Sequence, residues 1–231
     1  MSKSAAKRLL SEIPGASRRQ QYSASTRKAL VEAARQLFTQ RGYAATSLDA
    51  IVSQAKVTKG ALYHHYSGKQ ALFEAVFEQL EQTASKSITK AVRGSRDPWD
   101  KSREALRAFL TAVQDPGYRR VVMQEGPAVL GYERYREQEQ RSSYAIVLDI
   151  VRNVLRAGDW ELDEPMVDTF ARIFHGALNS AGESVATATD PELASARVEA
   201  AIGLILSGIR ALVDQGVELT VGPTSGADAE A

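Results

Sequence analysis

Apolar residues recur at helical spacing over residues 26–215, and no segment shows the alternation of a β-strand. The first stripe consists of Leu30, Ala34, Leu37 and Phe38, which share one face of a helix that begins near residue 26. Similar stripes follow in each later segment, with turn residues between them. The pattern therefore predicts an all-α protein with one buried face on each helix.

Two short helices are predicted behind the first one. Gly42 ends the first helix as a left-handed residue, and Thr46 or Ser47 caps the next helix. After a three-residue turn, Thr58 caps a further short helix that ends near Tyr66. Two short helices joined in this way form a helix-turn-helix, in which the second helix enters the DNA major groove.

Helix starts and stops divide the rest of the chain. Pro14-Gly15 is expected to break any long helix near the N-terminus. Asp-Pro pairs at 97–98 and 115–116 predict two helix starts, and the Glu-Gly-Pro sequence at 125–127 predicts a break. One long helix is expected over residues 132–157, and two more are expected at 163–188 and 190–215.

The outward face of the second short helix carries groups that suit DNA. Advancing about 100° per residue places Lys59, Gly60, Tyr63 and His64 on one side. The opposite side, which includes His65 and Tyr66, is expected to pack on the core. A lysine can contact phosphate or guanine, and a glycine lets the backbone approach the duplex. The spacing therefore predicts a DNA-reading surface.

The charge distribution supports nucleic-acid binding by the N-terminal third. The whole chain has a net charge of only +1. Residues 1–69 contain 12 lysines and arginines against 3 acidic residues, which gives +9, and residues 70–231 contain 17 against 25, which gives −8. A basic head joined to an acidic body is typical of a DNA-binding protein. A chance cluster of solvated charges is the competing explanation.

The composition excludes several other classes of protein. Cysteine is absent, so disulfides, thiolate metal sites and a cysteine nucleophile are ruled out, which fits a reducing cytoplasm. No apolar run approaches the roughly 18 residues that a membrane span needs. The sequence also lacks a phosphate-binding Walker loop, a G-x-S-x-G motif and a paired-histidine metal helix. We therefore expect no metal, no cofactor and no catalytic residue.

Residues 24–75 resemble the TetR family of bacterial transcriptional regulators. The resemblance is carried by Thr-Arg-Lys-Ala-Leu-Val-Glu-Ala-Ala-Arg-Gln-Leu-Phe at 26–38, Arg-Gly-Tyr at 41–43, Thr-Ser at 46–47, Thr-Lys-Gly-Ala-Leu-Tyr-His-His-Tyr at 58–66, Lys69 and Leu72-Phe73. In that family the positions at the DNA match Thr46, Ser47, Thr58, Lys59, Gly60, Tyr63, His64 and Lys69. Tyr66 departs from the phenylalanine that is more usual there but remains aromatic.

The resemblance implies two helical domains, an N-terminal three-helix helix-turn-helix domain and a C-terminal ligand-binding and dimerisation domain. We expect a basic flexible arm over residues 1–23, the DNA-binding domain over 24–84 with its motif at about 47–66, the regulatory and dimerisation domain over 85–216, and a flexible tail over 217–231. The arm either adds phosphate contacts or has no role.

The last two helices carry a seam of apolar residues spaced by threes and fours, as in closely paired helices. The residues predicted at a dimer interface are Phe174, Leu178, Ala181, Val185, Ile202, Ile205, Ile209 and Leu212. The spacing is also compatible with a core inside one chain. The resemblance favours a four-helix interface with two helices from each subunit, which suits a palindromic DNA site.

A ligand pocket within the middle helices is implied by the resemblance alone. Its candidate lining residues are Trp99, Phe109, Met123, Tyr144, His175, Asn179 and Glu183. Apolar walls with a few polar groups are usual for small-molecule sites. Ordinary core packing explains each of these residues equally well.

Together these features predict a cytoplasmic, dimeric, sequence-specific transcriptional regulator that binds double-stranded operator DNA. A repressor that an unidentified small-molecule effector releases from its operator is the expected form. The alternative is a helical small-molecule-binding module whose DNA-binding head is idle, which the basic charge of residues 1–69 argues against. A helical enzyme is a more remote alternative.

Overall fold

Helices connected by short turns make up the described chain. The computed structural model describes residues 14–158, 160 and 162–217, with side chains from Gln20 onward. The elements are α1 (Pro14–Arg41), α2 (Leu48–Ala55), α3 (Lys59–His65), α4 (Lys69–Ala91), α5 (Pro98–Gln114), a π-helix (Tyr118–Glu125), α6 (Gly126–Leu130), α7 (Tyr132–Arg141), α8 (Ser143–Arg156), α9 (Glu164–Thr187) and α10 (Pro191–Asp214). No strand occurs among these residues, which confirms the predicted fold class.

The first helix is longer than the sequence predicted. It begins at Pro14 rather than near residue 26, so Pro14 and Gly15 lie in its first turn and do not interrupt it. A proline lacks only an N–H that the first helical turn leaves unbonded anyway, and its fixed φ suits a helix start. The segment 14–23 of the predicted flexible arm is therefore helical. Residues 1–13 and 218–231, with the rest of the predicted arm and nearly all of the predicted tail, lie outside the described residues.

Aromatic rings form the core that holds α1 and α4 together. The Phe38 and Phe73 ring centroids lie 5.3 Å apart, edge to face, and Tyr43 stands 5.2 Å from Phe73 in the same geometry. Such pairs add about 0.5–1.5 kcal/mol beyond the burial of their surface. The predicted α1 stripe is buried along its length: Leu30, Ala34, Leu37 and Phe38 are each at most 2% exposed.

The chain folds into two compact units whose boundaries fall within helices. One unit comprises the chain up to Thr83 together with Val113–Gln138, and the other comprises Ala84–Ala112 and the chain from Glu139. The sequence assigned residues 113–138 to the regulatory domain, whereas the structure groups them with the helix-turn-helix. The reason is a set of long-range contacts, such as the buried hydrogen bond from the Tyr118 hydroxyl to Glu81.

The middle of the chain departs from the predicted helix limits. The Glu-Gly-Pro sequence at 125–127 does not interrupt the helical conformation. The π-helix continues directly into α6, which has Pro127 in its first turn. A proline is tolerated at that position. The single helix expected over 132–157 is two helices, α7 and α8, which are separated at Ser142.

The second unit is built around the pairing of α8 with α9. Val151, Leu155, Val167 and Ala171 form its buried cluster, and partly buried side chains such as Phe174 pack against them. The helix limits expected at 163–188 and 190–215 are confirmed within one residue at each end. Asp163 and Asp190 cap α9 and α10 by accepting hydrogen bonds from the N–H groups of Met166 and Leu193, and this capping sets both starts.

Candidate functional site

Local capping positions the two helices of the helix-turn-helix. Ser47 Oγ accepts a hydrogen bond from the Ala50 N–H at 3.1 Å, and Thr58 Oγ1 accepts one from the Ala61 N–H at 3.1 Å. Lys56 makes the turn between them in the left-handed region at φ +55°. Both predicted caps are therefore present, and the N-terminus of each helix is exposed beside its cap.

Helix α3 separates its inward and outward sides as the helical period predicts. Leu62 is 1% exposed, whereas Tyr63 is 59% exposed. Lys59, Gly60 and His64 are exposed as well. A Cβ built on Gly60 would meet only the Thr58 hydroxyl, at 3.9 Å, so the surface there is open. The outward set is confirmed as a surface, and its contact with DNA stays a prediction.

His65, the last residue of α3, and Tyr66, which follows it, complete the inward side. His65 is half-buried, and its ring contacts those of His64 and Tyr66. Tyr66 is 7% exposed, and its hydroxyl accepts a hydrogen bond from Arg27 Nε at 3.2 Å. That hydrogen bond raises the pKa of Arg27. The sequence placed both rings on the supporting side, and the structure confirms this.

The cation at the start of α3 is already paired. Lys59 Nζ lies 2.6 Å from Asp49 Oδ1, and both side chains are about two-thirds exposed. The hydrogen bond with Asp49 raises the pKa of Lys59. Exposed pairs of this kind contribute little to stability, so Lys59 can exchange Asp49 for a phosphate at small cost. A shallow depression of about 370 Å³ borders this pair and also touches Ser47 and Tyr63.

Two of the residues predicted at the DNA make hydrogen bonds within the protein. Thr46 is 1% exposed, and its hydroxyl donates to the Gly42 carbonyl at 2.7 Å. Lys69 Nζ donates to the carbonyls of Tyr43 and Thr46 at 2.8 and 3.0 Å and lies 4.2 Å from the centre of the Tyr43 ring. Both side chains hold the loop that ends at Ser47. The contact of Thr46 and Lys69 with DNA stays a prediction.

A charged clasp from the π-helix braces the same loop, and the sequence did not reveal it. Glu125 Oε2 accepts a hydrogen bond from the Tyr43 N–H at 2.9 Å. Arg120 lies 3.5 Å from Glu125 Oε1 and donates to the Gln40 carbonyl at 3.5 Å. The clasp thus occupies backbone groups at the C-terminus of α1. Its partners are separated by some 80 residues, so no local pattern in the sequence could have indicated it.

We expect Gly42→Ala to destabilise this unit by more than the 1–2 kcal/mol that a left-handed backbone costs an L-residue. Gly42 has φ +80°, and a Cβ there would overlap the Glu125 carboxylate and the Arg120 guanidinium. Urea denaturation followed by circular dichroism measures the change. Gly131→Ala is the matched control, because Gly131 has the same φ of +80° but a Cβ there would meet no atom within 4 Å. Equal losses in the two variants would contradict the clasp.

The second unit contains a cavity of about 280 Å³. Of the predicted pocket residues, Phe109, His175 and Asn179 line it, and the other four do not. Trp99 is buried away from the cavity, Met123 belongs to the other unit, and Glu183 is exposed. The Tyr144 hydroxyl hydrogen-bonds to the Asp168 carboxylate instead, which lowers the pKa of Asp168, and Arg172 adds to this effect.

The sequence missed most of the cavity wall, which is made of aliphatic side chains. α8 and α10 supply much of it, including Ile146, Ile150, Ile202 and Ile209. Aliphatic residues at helical spacing predict burial but do not distinguish a filled core from a cavity wall. Only the packing of several helices shows which of these side chains leave space between them.

Most residues of the predicted seam face the inside of their own unit. Val185 is completely buried, Phe174 packs on the α8 cluster, and Ala181 is half-buried. The cavity is lined by Phe174, Leu178, Ile202, Ile205, Ile209 and Leu212. Among these, Ile205 and Leu212 remain about half exposed. Much of this spacing thus reports packing within the unit, and the contact of these residues with a partner subunit stays a prediction.

A different face of α9 and α10 is both apolar and exposed. Ile173 is 62% exposed and Leu204 is 76% exposed. Gly176 and Gly208 lie on the same outward faces, and a Cβ on either would meet nothing within 4 Å. Large exposed apolar side chains beside small residues are typical of an interaction surface. We call this set, together with Ala201, the outer face.

Membrane spans and metal sites are both absent from the part of the chain that the structure describes. No helix among the described residues is both long enough and apolar enough to cross a bilayer. Within the same residues, no three histidine, aspartate or glutamate side chains are grouped closely enough to hold a metal ion.

Comparison with known proteins identifies both parts of the chain. The family model described as "Bacterial regulatory proteins, tetR family" matches residues 30–76, and "Tetracyclin repressor-like, C-terminal domain" matches residues 99–209. A TetR-family transcriptional regulator from Pectobacterium atrosepticum has a similar structure, with a TM-score of 0.70 and 30% identity over 81% of this chain and 95% of that one.

Two curated relatives match over shorter stretches. The transposon Tn10 TetC protein of Escherichia coli is 32% identical over 47% of this chain and 54% of its own length. The HTH-type transcriptional activator FasR of Mycolicibacterium smegmatis is 34% identical over 39% of this chain and 42% of its own length. The matches thus span about half of each relative. The two family matches and the structural likeness together show that the chain belongs to the TetR family of transcriptional regulators.

Proposed function

We propose that the protein is a dimeric repressor that binds a palindromic operator through α3 and leaves it when a small molecule enters the second unit. The observation that carries the DNA-binding part is the exposed set on α3. Lys59, Gly60, Tyr63 and His64 are exposed together beside a capped helix start, where backbone N–H groups also attract phosphate.

The proposed reading surface is narrower than the family positions imply. Ser47 and Thr58 present exposed helix starts, whereas Thr46 and Lys69 set the loop between α1 and α2. The latter two act as positioning residues for the side chains that touch DNA. The basic charge of residues 1–69 attracts the duplex to this side of the molecule. DNA binding in turn supports action in the cytoplasm.

Footprinting on the DNA that flanks the protein's own gene tests the proposal. We expect a protected, two-fold symmetric site whose affinity falls with salt, with a slope of about −0.9 for each phosphate that the protein neutralises. Raised expression of the adjacent genes after deletion of the protein supports a repressor. Absence of protection there and elsewhere in the genome favours the alternative of a ligand-binding module with an idle head.

We place the dimer contact on the outer face of α9 and α10. A stable dimer needs an apolar surface that is exposed in the single chain, and Ile173 and Leu204 are more exposed than any residue of the seam. Small residues such as Gly176 and Gly208 allow the helices of a partner to approach closely. A dimer carries two helix-turn-helix units, which match the two half-sites of a palindrome.

We expect Leu204→Glu to weaken self-association by at least about 100-fold, because a carboxylate buried without a partner costs several kcal/mol. Sedimentation velocity measures the change, and operator affinity falls with it. Tyr132→Glu is the control, since Tyr132 is 71% exposed on α7 and belongs to the other unit. A Leu204→Glu protein that remains dimeric would contradict this placement of the interface.

A further inference from the structure

The cavity of the second unit has mainly apolar walls. Helices α5, α8, α9 and α10 supply side chains such as Phe109, Ile150, Phe170 and Ile202 to a space of about 280 Å³. None of the described residues that line it is a lysine, arginine, aspartate or glutamate. A charged group that enters such a space loses its hydration without gaining a counter-ion, which costs several kcal/mol. The walls therefore select against ionised ligands.

Polar groups of the lining are concentrated at one place. Ser102 Oγ donates to the Pro98 carbonyl and Trp160 Nε1 donates to the Val217 carbonyl, so both donors are used within the protein. The remaining polar lining residues are Ser143, His175 and Asn179. Ser143 Oγ lies 3.2 Å from His175 Nε2, and Asn179 follows His175 by one turn of α9. We call these three residues the polar corner.

The hydrogen bonds of the polar corner decide what it offers to a ligand. Asn179 Nδ2 donates to Glu139 Oε1 at 2.7 Å, which fixes the orientation of the amide. The amide oxygen of Asn179 remains an acceptor and has no partner among the described residues. Ser143 Oγ donates to the Glu139 carbonyl at 3.3 Å and keeps acceptor capacity of its own. The corner thus favours a ligand group that donates a hydrogen bond.

The Glu139 side chain sharpens this selection. It lies behind Asn179, outside the lining, and it places a carboxylate next to the polar corner. A ligand carboxylate would come close to that carboxylate, and no described lysine or arginine lines the cavity to attract it. A ligand ammonium would lose its hydration in the same apolar space, and Asn179 already occupies Oε1 of Glu139. An uncharged hydroxyl meets neither penalty.

We infer that the cavity binds an uncharged, mainly apolar molecule that carries one hydrogen-bond-donating group such as a hydroxyl, and that Asn179, with Ser143, receives this group. The inference rests on the proposed function only in taking the cavity as a small-molecule site. It adds the chemical class of the ligand and the residue that recognises it.

Four naphthalene derivatives of one shape test the inference: 1-naphthalenemethanol, 1-naphthoate, 1-naphthylmethylammonium and 1-methylnaphthalene. Isothermal titration calorimetry on the full chain near neutral pH measures each dissociation constant. We expect the alcohol to bind at least about tenfold more tightly than either ion and several-fold more tightly than the hydrocarbon. Tighter or equal binding of an ion overturns the inference, and so does the failure of all four to bind below about 1 mM.

Asn179→Leu separates recognition from simple burial in the apolar space. We expect this variant to lose the preference for the alcohol over 1-methylnaphthalene while it binds the hydrocarbon as the parent does. Asn153→Leu is the matched control, since Asn153 is a half-buried asparagine of α8 that bonds within its own helix and does not line the cavity. A preference that survives in Asn179→Leu, or is lost equally in Asn153→Leu, overturns the role of Asn179.

Operator binding is scored separately, so that two failures can be told apart. If the alcohol binds through Asn179 but leaves operator affinity unchanged, the proposed ligand-driven release fails and the ligand class stands. If an ion binds best and releases the operator, the ligand class fails and the regulated repressor stands.

Discussion

Tyr63→Ala is expected to lower operator affinity by about 30- to 1,000-fold. The Tyr63 side chain is 59% exposed on the outward side of α3, one turn from Lys59. Removing an interface tyrosine costs about 1–2 kcal/mol, and a dimer that engages two half-sites loses this twice. A fluorescence-anisotropy titration on the footprinted site measures the change.

Lys59→Ala tests the electrostatic part of the same surface. We expect a weaker complex whose salt dependence is reduced by about 0.9 for each phosphate that the lysine no longer neutralises, whereas Tyr63→Ala leaves the salt dependence unchanged. Tyr132→Ala is the control for both variants, because Tyr132 is exposed in the same unit but outside the helix-turn-helix. If it weakens binding as much as Tyr63→Ala does, α3 is not the reading helix.

Phe73→Ala is expected to reduce the free energy of unfolding by about 3–5 kcal/mol. Phe73 is fully buried and makes edge contacts with both Phe38 and Tyr43. The loop that carries Ser47 depends on Tyr43 through Lys69, so operator affinity falls together with stability. Urea denaturation monitored by circular dichroism gives the free energy.

Phe170→Ala provides the comparison for this loss. Phe170 is only half-buried and lines the cavity of the other unit, so its truncation removes less packed surface. We expect a smaller loss of stability and no change in operator affinity without ligand. Equal losses in the two variants would show that the aromatic cluster is not the main support of the helix-turn-helix.

Capping positions were predictable because they depend on neighbours in the chain. Ser47, Thr58, Asp163 and Asp190 each accept a hydrogen bond from an N–H three residues ahead. The two sides of α3 were predictable for a similar reason, since a period of 3.6 residues assigns every side chain an angle once the helix start is known. Both kinds of information lie within a few residues.

Thr46 shows where such reasoning stops. Its place directly before a helix start is compatible with a cap or a phosphate contact, and the sequence left the cap open between Thr46 and Ser47. The fold decides between the two residues, because the Thr46 hydroxyl donates to the Gly42 carbonyl and is buried, which leaves Ser47 as the cap. Lys69 likewise finds two loop carbonyls, which come close only when α4 packs on α1.

The α9 and α10 seam shows a second limit. Apolar residues at alternating steps of three and four positions indicate a buried stripe on a helix. The stripe can be covered by the same chain or by a partner. In the folded unit Val185 faces inward, while Ile173 and Leu204 face outward. The sequence alone could not rank these faces, because both are apolar.

By itself, the sequence determined the all-α class, the caps of α2 and α3, the limits of the last two helices, the outward set on α3 and the family, because each depends on local spacing and residue type. Only the tertiary structure decided that Thr46 and Lys69 hold a loop, that Arg120 and Glu125 clasp the end of α1, and which side chains line the cavity. The physical reason is distance along the chain. Hydrogen bonds between residues some 80 positions apart, and spaces bounded by several helices, exist only once the chain has packed.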